Sequence, residues 1–340
     1  MSTSVLSVLI GRLISGERLG ADAMEAAMGA IVRGEATPAQ IGGLLIGMRV
    51  RGETADELLG IARALRAVGT RVETGLPKLL DTCGTGGDGA HTFNLSTTVA
   101  FVCAGAGVPV AKHGNRAVSS RSGSADVLEA LGVPLLDVAA DCADQVIRHG
   151  FAFLFAPHLH PAMRHVAAIR KELGVRTIMN LVGPLVNPAS ATHQLVGVFD
   201  EGKLGAMAEA FGRLGSERAI VVRGVDGLDE ISPAGVTRWA EWRRETGEVL
   251  FGETHPGELG LDVVPISAIA GGDAHDNAAI TLAVLNGEPG PYRTATLLNA
   301  AWALYAADAA ETPLTGLTLA TTSIDSGAAR GVLQRVQRAS

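Results

Sequence analysis

The chain is poor in cysteine, in aromatic residues and in net positive charge. Its three cysteines, Cys83, Cys103 and Cys142, form no CxxC pair, which excludes a disulfide framework and a thiolate zinc site. Aromatic residues make up 4 % of the chain, too few for a surface that stacks single-stranded nucleic acid. The net charge of −7 argues against general nucleic-acid binding, because that needs a basic surface.

The sequence also lacks a membrane or export signal. No uncharged apolar run approaches the roughly 20 residues that a membrane helix needs. The N-terminal segment has no basic region, and its apolar residues recur at helical spacing from Val5 to Ile14. Hydrophobic residues make up 47 % of 340 residues, which excludes a disordered chain. These features predict a soluble cytoplasmic protein of two domains, with no membrane or nucleic-acid partner.

The first part of the chain has the pattern of a small helical domain. Thr37-Pro38-Ala39-Gln40 and Thr54-Ala55-Asp56-Glu57 are capping boxes, and they predict helices over 38–50 and 55–68. Short connections favour antiparallel neighbours in a bundle. We assign residues 1–72 to this domain and expect a helical segment near 163–185 to return to it.

From residue 76 to 340 the pattern changes to strands alternating with helices. A strand over 78–82, a Gly-rich loop over 83–89, a helix over 96–105 and a strand over 108–111 form a unit of a parallel sheet. Residues 237–264 have a hairpin pattern. Further strands are predicted at 151–155, 194–199 and 219–223, and closing helices at 277–286, 293–308 and 326–338. The fold class is α/β, with a mainly parallel central sheet flanked by helices.

The loop after the first strand contains the pattern GxGxxG at Gly84, Gly86 and Gly89. A dinucleotide site would need an acidic residue at the end of the second strand, where Lys112-His113 stands instead. A P-loop is excluded because no Gly-Lys-Ser/Thr follows. The remaining alternatives are a backbone cradle for an anion and a plain tight turn.

Two further segments have the composition of anion sites. Residues 92–98 place Asn, Ser and Thr where a helix begins; they predict an anion site, with ordinary N-capping as the alternative. Residues 112–126 combine Lys, Arg, small hydroxyls and glycine at a strand end. That composition favours phosphate, with a solvated basic loop as the alternative.

A pair of carboxylates, Asp229 and Glu230, follows the strand predicted at 219–223. Adjacent carboxylates at a strand exit suit Mg²⁺ that bridges to substrate phosphates. Alone, such a pair is usually plain surface. Together with three anion-binding segments it predicts polyphosphate chemistry, which needs both cations and a metal.

Together these segments resemble the anthranilate phosphoribosyltransferases over nearly the whole chain. The matching stretches are GTGGDGxxTFNxST at 84–97, KHGNRxxSSxSGSADxLExLG at 112–132, HPAMRHVAxxRKELGxRTIxNxxGPLxNP at 160–188, GLDEIS at 227–232 and GGDAxxNAAI at 271–280. The resemblance implies transfer of a phosphoribosyl group from 5-phosphoribosyl 1-diphosphate to anthranilate, in tryptophan synthesis. It also implies two Mg²⁺ ions and a homodimer formed through the helical domain.

The resemblance further implies the site residues. Ser96, Asp229 and Glu230 match the metal positions, while Gly84, Asn115 and Arg170 match the anthranilate positions. No general acid or base is implied, and Lys112 and the metal would stabilise the leaving group. The positions implied for phosphoribosyl diphosphate are Gly84, Gly87, Asp88, Thr92, Asn94, Leu95, Ser96, Thr97, Lys112, His113, Gly114, Asn115, Arg116, Ala117, Val118, Ser119, Ser120 and Ser124.

Two other functions are weighed against this one. A pyrimidine nucleoside phosphorylase also uses Lys- and Ser-rich phosphate loops, but it needs no Mg²⁺ bridge. Asp229-Glu230, the GTGGD loop and Arg170 argue against it. A nucleic-acid-binding module of similar fold would need a basic face, which the net charge of −7 disfavours.

Overall fold

Four helices at the N-terminus form a bundle: α1 Val5–Ile14, α2 Ala21–Val32, α3 Pro38–Arg51 and α4 Ala55–Val68. The computed structural model describes residues 4–117 and 121–339, and it confirms both capping boxes: Thr37 and Thr54 each accept a hydrogen bond from the backbone N–H three residues later. Helix α4 packs against α2 through Leu58, Ile61 and Leu65.

A seven-stranded sheet forms the centre of the rest of the described chain. The strands are β1 Leu80–Gly84, β2 Val110–Gly114, β3 Phe151–Phe155, β4 His193–Gly197, β5 Arg218–Gly224, β6 Thr237–Arg243 and β7 Glu248–Thr254. Their order in the sheet is β3-β2-β1-β4-β5-β6-β7. β1 to β5 are parallel, and the last two strands add an antiparallel hairpin. The predicted mainly parallel sheet is therefore confirmed.

The first two strands extend further than predicted, which moves Lys112 and His113 from a loop into β2. Both residues are less than a tenth exposed. The Lys112 ammonium is held by Thr82 O and by Ser96 Oγ, the latter at 3.0 Å. The strand was predicted to end at Lys112 because a charged side chain usually needs water around it. Here protein oxygens take the place of water, so the lysine can lie inside the strand.

Helices cover both faces of the sheet. The helices after β1 are α5 Leu95–Gly105, α6 Ser124–Ala130, α7 Ala139–His149, α8 Ala156–Leu159, α9 Arg164–Leu173, α10 Met179–Val182, α11 Leu204–Arg213, α12 Ala274–Leu285, α13 Pro291–Ala306, α14 Pro313–Asp325 and α15 Ala328–Arg338, and all except α9 and α10 belong to the layers around the sheet. Of these, α14 is absent from the prediction. Its threonines have modest helix propensity, but Thr312 caps it and Pro313 stands at its first turn. Gly316 allows close packing, since a Cβ there would lie 2.3 Å from Ala301 O.

Helices α9 and α10 pack against the N-terminal bundle, although they come after β3 in the chain. α9 contacts α2 and α3, and α10 contacts α4. Val166, Ile178 and Leu181 belong to the same apolar core as the bundle helices. No helix within residues 4–117 and 121–339 has the length and hydropathy to cross a membrane.

Candidate active site

The carboxyl ends of β1, β2 and β5 bring the predicted segments together at one edge of the sheet. The Gly86 N–H, after β1, donates to Asp229 Oδ2 at 2.7 Å. Lys112 on β2 donates to Ser96 Oγ, and the Ser96 backbone N–H faces the Glu230 carboxylate and lowers its pKa. The loop, the lysine and the carboxylate pair therefore surround one cleft, at the edge where open α/β sheets bind ligands.

The loop after β1 needs glycine for two reasons. Gly86, Gly87 and Gly89 have φ values of +71°, +81° and +77°, which side chains rarely adopt. Gly84 is required by proximity, because a Cβ there would lie 2.5 Å from Asp229 Oδ2. The loop and the carboxylate are thus fitted to each other.

We expect Gly84→Ala to displace the Asp229 side chain while the protein still folds. The methyl group would meet the Asp229 carboxylate first, at 2.5 Å from Oδ2, whereas the backbone oxygen of Asp229 lies at 3.2 Å and has to yield only by a few tenths of an ångström. Turnover should fall by about tenfold or more, with a higher Mg²⁺ requirement. Steady-state rates across a Mg²⁺ titration test this. Gly235→Ala is the control, since nothing lies within 4 Å of a Cβ there and its φ is not positive; equal Mg²⁺ requirements in both variants would contradict the contact argument.

Asp229 and Glu230 form a buried concentration of negative charge. Burial, followed by Asp88 and then Glu230, raises the pKa of Asp229 well above its usual value. Burial raises the pKa of Glu230 to about 7, although Lys112 lowers it. Within the described part of the chain no three His, Cys, Asp or Glu residues form a metal cluster. Two carboxylates and a hydroxyl nevertheless fit Mg²⁺, which takes hard oxygen ligands and leaves positions for water and phosphate.

The first turn of α5 is capped without help from a side chain. Asn94 is the N-cap residue, but its side chain makes no capping bond, so ordinary side-chain N-capping does not explain it. Its Oδ1 accepts instead from Asn277 Nδ2 at 2.8 Å. Asn277 lies in the GGDAxxNAAI stretch, and sequence reasoning gave it no role. The Thr97 and Thr98 N–H groups already donate to Asn94 O, so the anion site predicted here would depend on side chains.

A second polar network lies beneath β1 and β2. Asp81 accepts from the His113 N–H at 3.2 Å and from Asn187 Nδ2 at 2.8 Å, and the same amide donates to Ala111 O at 2.8 Å. Burial raises the pKa of Asp81 to about 6, while Lys112 lowers it. The sequence analysis gave no role to Asp81 or Asn187. The one signal available was the Asn187-Pro188 pair at the end of the matched stretch 160–188. The network fixes the end of β2 and therefore the position of Lys112.

His113 is held neutral in this network. Burial, followed by the neighbouring His160, lowers its pKa to about 3. Its Nδ1 lies 3.2 Å from Gly183 O, and its Nε2 has no hydrogen-bond partner among the described residues. The His160 ring centroid is 5.3 Å from its own. A neutral imidazole that donates from Nδ1 leaves Nε2 as an acceptor.

Acidification is expected to destabilise the wild-type protein more than a His113→Asn variant. In the unfolded chain His113 takes up a proton near its ordinary pKa of 6.5, whereas in the folded chain it does so only near pH 3. The contribution of neutral His113 to the free energy of unfolding is therefore complete above pH 6.5 and is lost as the pH falls. The difference in unfolding free energy should change by about 1.4 kcal/mol per pH unit below that value. Urea denaturation at a series of pH values from neutral downward measures it; Asp81, whose raised pKa acts in the opposite direction, is present in both proteins and cancels. Parallel pH curves would contradict the assignment.

The loop after β2 is described only in part. Val118, Ser119 and Ser120 lie outside the described residues. Ser124 Oγ donates to Asn115 O at 3.2 Å, and the Ala117 N–H donates to Asp126 at 3.1 Å. The Arg116 guanidinium pairs with Asp126 and Glu129. Its charge is therefore already compensated by two carboxylates, and the sequence prediction that this loop binds phosphate did not include them.

Several matched residues contribute to the site through its shape or through local contacts. Leu95 and Thr97 are each 1 % exposed, so their side chains belong to the core. A Cβ on Gly114 would lie 2.3 Å from Ser124 Oγ. Thr92 pairs with Ala270 in an isolated bridge, and Asp88 accepts from the Ala90 N–H at 3.2 Å. These residues shape the cleft, and none of them brings a positive charge to it.

Arg170 is a half-buried cation on α9. Burial lowers its pKa, and no carboxylate of the described residues pairs with it, Glu172 included. The alternative of a surface pair with Glu172 is therefore not what the structure contains. A partly desolvated guanidinium without a counter-charge is suited to a ligand carboxylate.

A cavity of about 570 Å³ lies elsewhere, between α11 and the β6–β7 hairpin, next to Trp239 and Phe251. Its charged residues compensate one another, since Arg238 pairs with Glu201 and Glu253. The unbalanced charges are at the strand ends, which makes that cleft the better candidate for chemistry on anions.

Known proteins resemble this chain over almost its full length. Residues 7–69 match the helical bundle domain of a glycosyl transferase family, and residues 76–330 match its a/b domain. An anthranilate phosphoribosyltransferase of Myxococcus xanthus is 52 % identical, covering 96 % of this chain and 97 % of that protein. One from Symbiobacterium thermophilum is 49 % identical over 98 % of this chain and 97 % of its own length.

Solved structures agree with these relatives. The crystal structure of anthranilate phosphoribosyltransferase from Thermus thermophilus has a TM-score of 0.91 and 43 % identity, and covers 97 % of this chain and 98 % of its own. That from Saccharomyces cerevisiae in complex with PRPP and Mg has a TM-score of 0.88 and 29 % identity, and covers 99 % of this chain and 98 % of its own.

Proposed function

This chain belongs to the anthranilate phosphoribosyltransferase family, and we propose that its active site is the cleft at the ends of β1, β2 and β5, with Mg²⁺ bound there. The protein transfers the 5-phosphoribosyl group of 5-phosphoribosyl 1-diphosphate to anthranilate and releases diphosphate. The observation that carries the proposed site is the Asp229–Glu230 pair, in which Asp229 is buried. Burial is the main reason why both pKa values are raised, and a divalent cation would stabilise the ionised carboxylates.

The reaction needs little proton chemistry from the protein. A C1–N bond forms as the C1–O bond to diphosphate breaks, and the leaving diphosphate takes the electron pair. The aryl amine of anthranilate is neutral near pH 7, so it attacks without prior deprotonation, and the acidic N–H of the resulting ammonium then passes its proton to solvent water. Catalysis then rests on orientation and on stabilising the leaving group. No residue is needed as a general acid or base.

Asp229, Glu230 and Ser96 would hold the metal, and we propose two ions per site. Bound Mg²⁺ would neutralise charge on the departing diphosphate. Lys112 contributes a fixed positive charge from beneath the cleft, with donors already engaged by Thr82 and Ser96. Because these groups are in place before substrate arrives, little reorganisation accompanies the reaction.

The donor would lie along the Gly84–Gly89 loop, the polar side chains at the start of α5 and the loop after β2. Glycine N–H groups are natural partners for phosphate oxygens. Asn94 and Ser124 would add side-chain hydrogen bonds. Arg116 is proposed to brace the loop through Glu129 and not to bind the donor through its side chain.

Anthranilate would bind between the helical bundle and the sheet. Arg170 comes from α9, which packs on the bundle, whereas Gly84 and Asn115 belong to strand ends. The guanidinium would take the carboxylate and leave the amine directed toward the ribose. Bundle and sheet would then each supply one part of the acceptor site, so a small hinge motion could exclude water.

We also propose a helical domain over 1–72, completed by residues 163–185, an α/β domain over 76–340, a cytoplasmic location, and a homodimer through the helical domain.

The dimer is supported by apolar residues exposed on α1, where Val8 is 51 % and Ile14 83 % exposed. Light scattering of the wild type and of Val8→Glu tests it. We expect a dimeric wild type and a monomeric variant. If the wild type is monomeric as well, the proposed dimer is wrong.

The test of function is the loss of anthranilate fluorescence in the presence of 5-phosphoribosyl 1-diphosphate and Mg²⁺. Activity should disappear with EDTA and return with excess Mg²⁺. Thymidine or uridine with phosphate serves as the control for a nucleoside phosphorylase, and we expect no product from it. Activity that persists in EDTA would contradict the metal proposal and leave the transfer reaction intact.

A further inference from the structure

A second arginine without a carboxylate partner lies against the Gly-rich loop. Arg176, three residues after α9 ends, is exposed. Its Nε and Nη2 lie 3.2 and 3.3 Å from the position that a Cβ on Gly87 would occupy. The guanidinium therefore lies against the loop at Gly87, where a side chain would displace it; the φ of +81° is what requires glycine at this position.

The aromatic face of Phe199 holds this guanidinium in place. The Arg176 Cζ is 4.7 Å from the ring centroid, within the range of a cation–π contact. Phe199 is itself tied to the same loop, because its N–H donates to Thr85 Oγ1 at 3.1 Å. The Thr85 N–H in turn donates to Gly197 O at 2.9 Å. Loop, ring and guanidinium form one fixed unit.

Nothing in the described residues neutralises Arg176, since it has neither an ion pair nor a hydrogen bond there. A ring face orients a cation but does not cancel its charge. The adjacent Gly86 N–H contacts Asp229, so the loop that Arg176 covers also borders the carboxylate pair. A mobile surface arginine would lack the ring and the loop contact.

We propose that Arg176 binds the diphosphate of the sugar donor at Gly87; this inference rests on the proposed donor site. A guanidinium donates two parallel hydrogen bonds to phosphate oxygens, and the departing group carries several negative charges. The anthranilate carboxylate is a single charge with its own half-buried partner in Arg170. Arg176 therefore acts on the donor and on product diphosphate, and Arg170 acts on the acceptor.

The test measures binding of inorganic diphosphate in the presence of Mg²⁺ by calorimetry, together with both KM values. The full-length wild type is compared with Arg176→Gln and Arg176→Lys. Gln should weaken diphosphate binding by about tenfold or more and Lys by less, with little change in the KM for anthranilate. Arg148→Gln, an exposed arginine on α7 that pairs with Asp144, is the control for loss of surface charge.

Three outcomes would overturn this role. Diphosphate binding by Arg176→Gln as tight as by the wild type would remove Arg176 from the donor site. A rise confined to the KM for anthranilate would place it in the acceptor site. A lowered thermal midpoint that accounts for the loss would make it structural. Failure of the wild type itself to bind diphosphate with Mg²⁺ would instead overturn the proposed donor site, and Arg176 with it.

Discussion

Asp229→Asn is expected to lower turnover by about a hundredfold or more and to raise the Mg²⁺ concentration needed for half-maximal rate. The amide keeps the size of the carboxylate, and its oxygen can still accept from the Gly86 N–H, now 2.7 Å from Oδ2. The loop should therefore keep its conformation. What the variant lacks is the charge that would hold the metal.

Stability separates this effect from misfolding. Burial raises the pKa of Asp229, which means that its ionised form is costly in the metal-free protein. In EDTA the thermal midpoint of Asp229→Asn should equal or exceed that of the wild type. Mg²⁺ with diphosphate should then raise the midpoint of the wild type and not that of the variant.

Asp226→Asn is the matched control for this experiment. Asp226 lies in the same turn; its Oδ1 accepts from the Leu228 N–H at 3.1 Å and its Oδ2 accepts from the Ser232 hydroxyl. An asparagine keeps the first bond and can donate to the hydroxyl oxygen in place of the second. It should retain nearly full turnover and the wild-type Mg²⁺ response. Equal losses in the two variants would mean that the turn as a whole, and not a metal ligand, was disturbed.

Arg170→Ala should raise the KM for anthranilate by about a hundredfold and leave the KM for the sugar donor nearly unchanged. The guanidinium has no carboxylate partner among the described residues, so its removal breaks no internal ion pair. Burial lowers its pKa, and the loss of a partly desolvated charge should not destabilise the fold. Steady-state kinetics with each substrate varied in turn measures both constants.

Two variants sharpen the result. Arg170→Lys keeps the charge but not the two-pronged geometry, and it should recover only part of the affinity. Lys171→Ala removes the neighbouring exposed charge of α9 and should match the wild type. A parallel rise of both KM values in Arg170→Ala would argue for a displaced helix instead of a lost carboxylate partner.

Local chemistry made much of the fold predictable. Thr37 and Thr54 are recognisable helix caps because their partners stand three residues away. Residues 151–155 are apolar throughout, as a strand buried on both faces must be, and β3 has these bounds. The Asp-Glu pair and the glycine pattern predicted an anion site, since metal and phosphate each need particular donor types.

The features that the sequence analysis did not predict share a cause. In each, the partner of a charged or polar side chain lies far away in the sequence. Lys112 could be buried in β2 only because Ser96 and Asp81 receive its charge. Arg116 looked like an open cation until Glu129 was placed beside it. Asn277 lies 183 residues from Asn94, whose side chain it fixes. Such pairs leave no local pattern, so only the folded arrangement identifies them.

The packing of α9 and α10 on the N-terminal bundle has a consequence for biosynthesis of the chain. Ile178, Leu181 and Leu185, each no more than 1 % exposed, cover the core that α1 to α4 begin. A ribosome must therefore have released residues up to about 186 before that core is shielded from water, well after the first helices emerge. A truncated polypeptide that stops near residue 72 would expose this hydrophobic surface to water, and we expect it to bind chaperones or to aggregate.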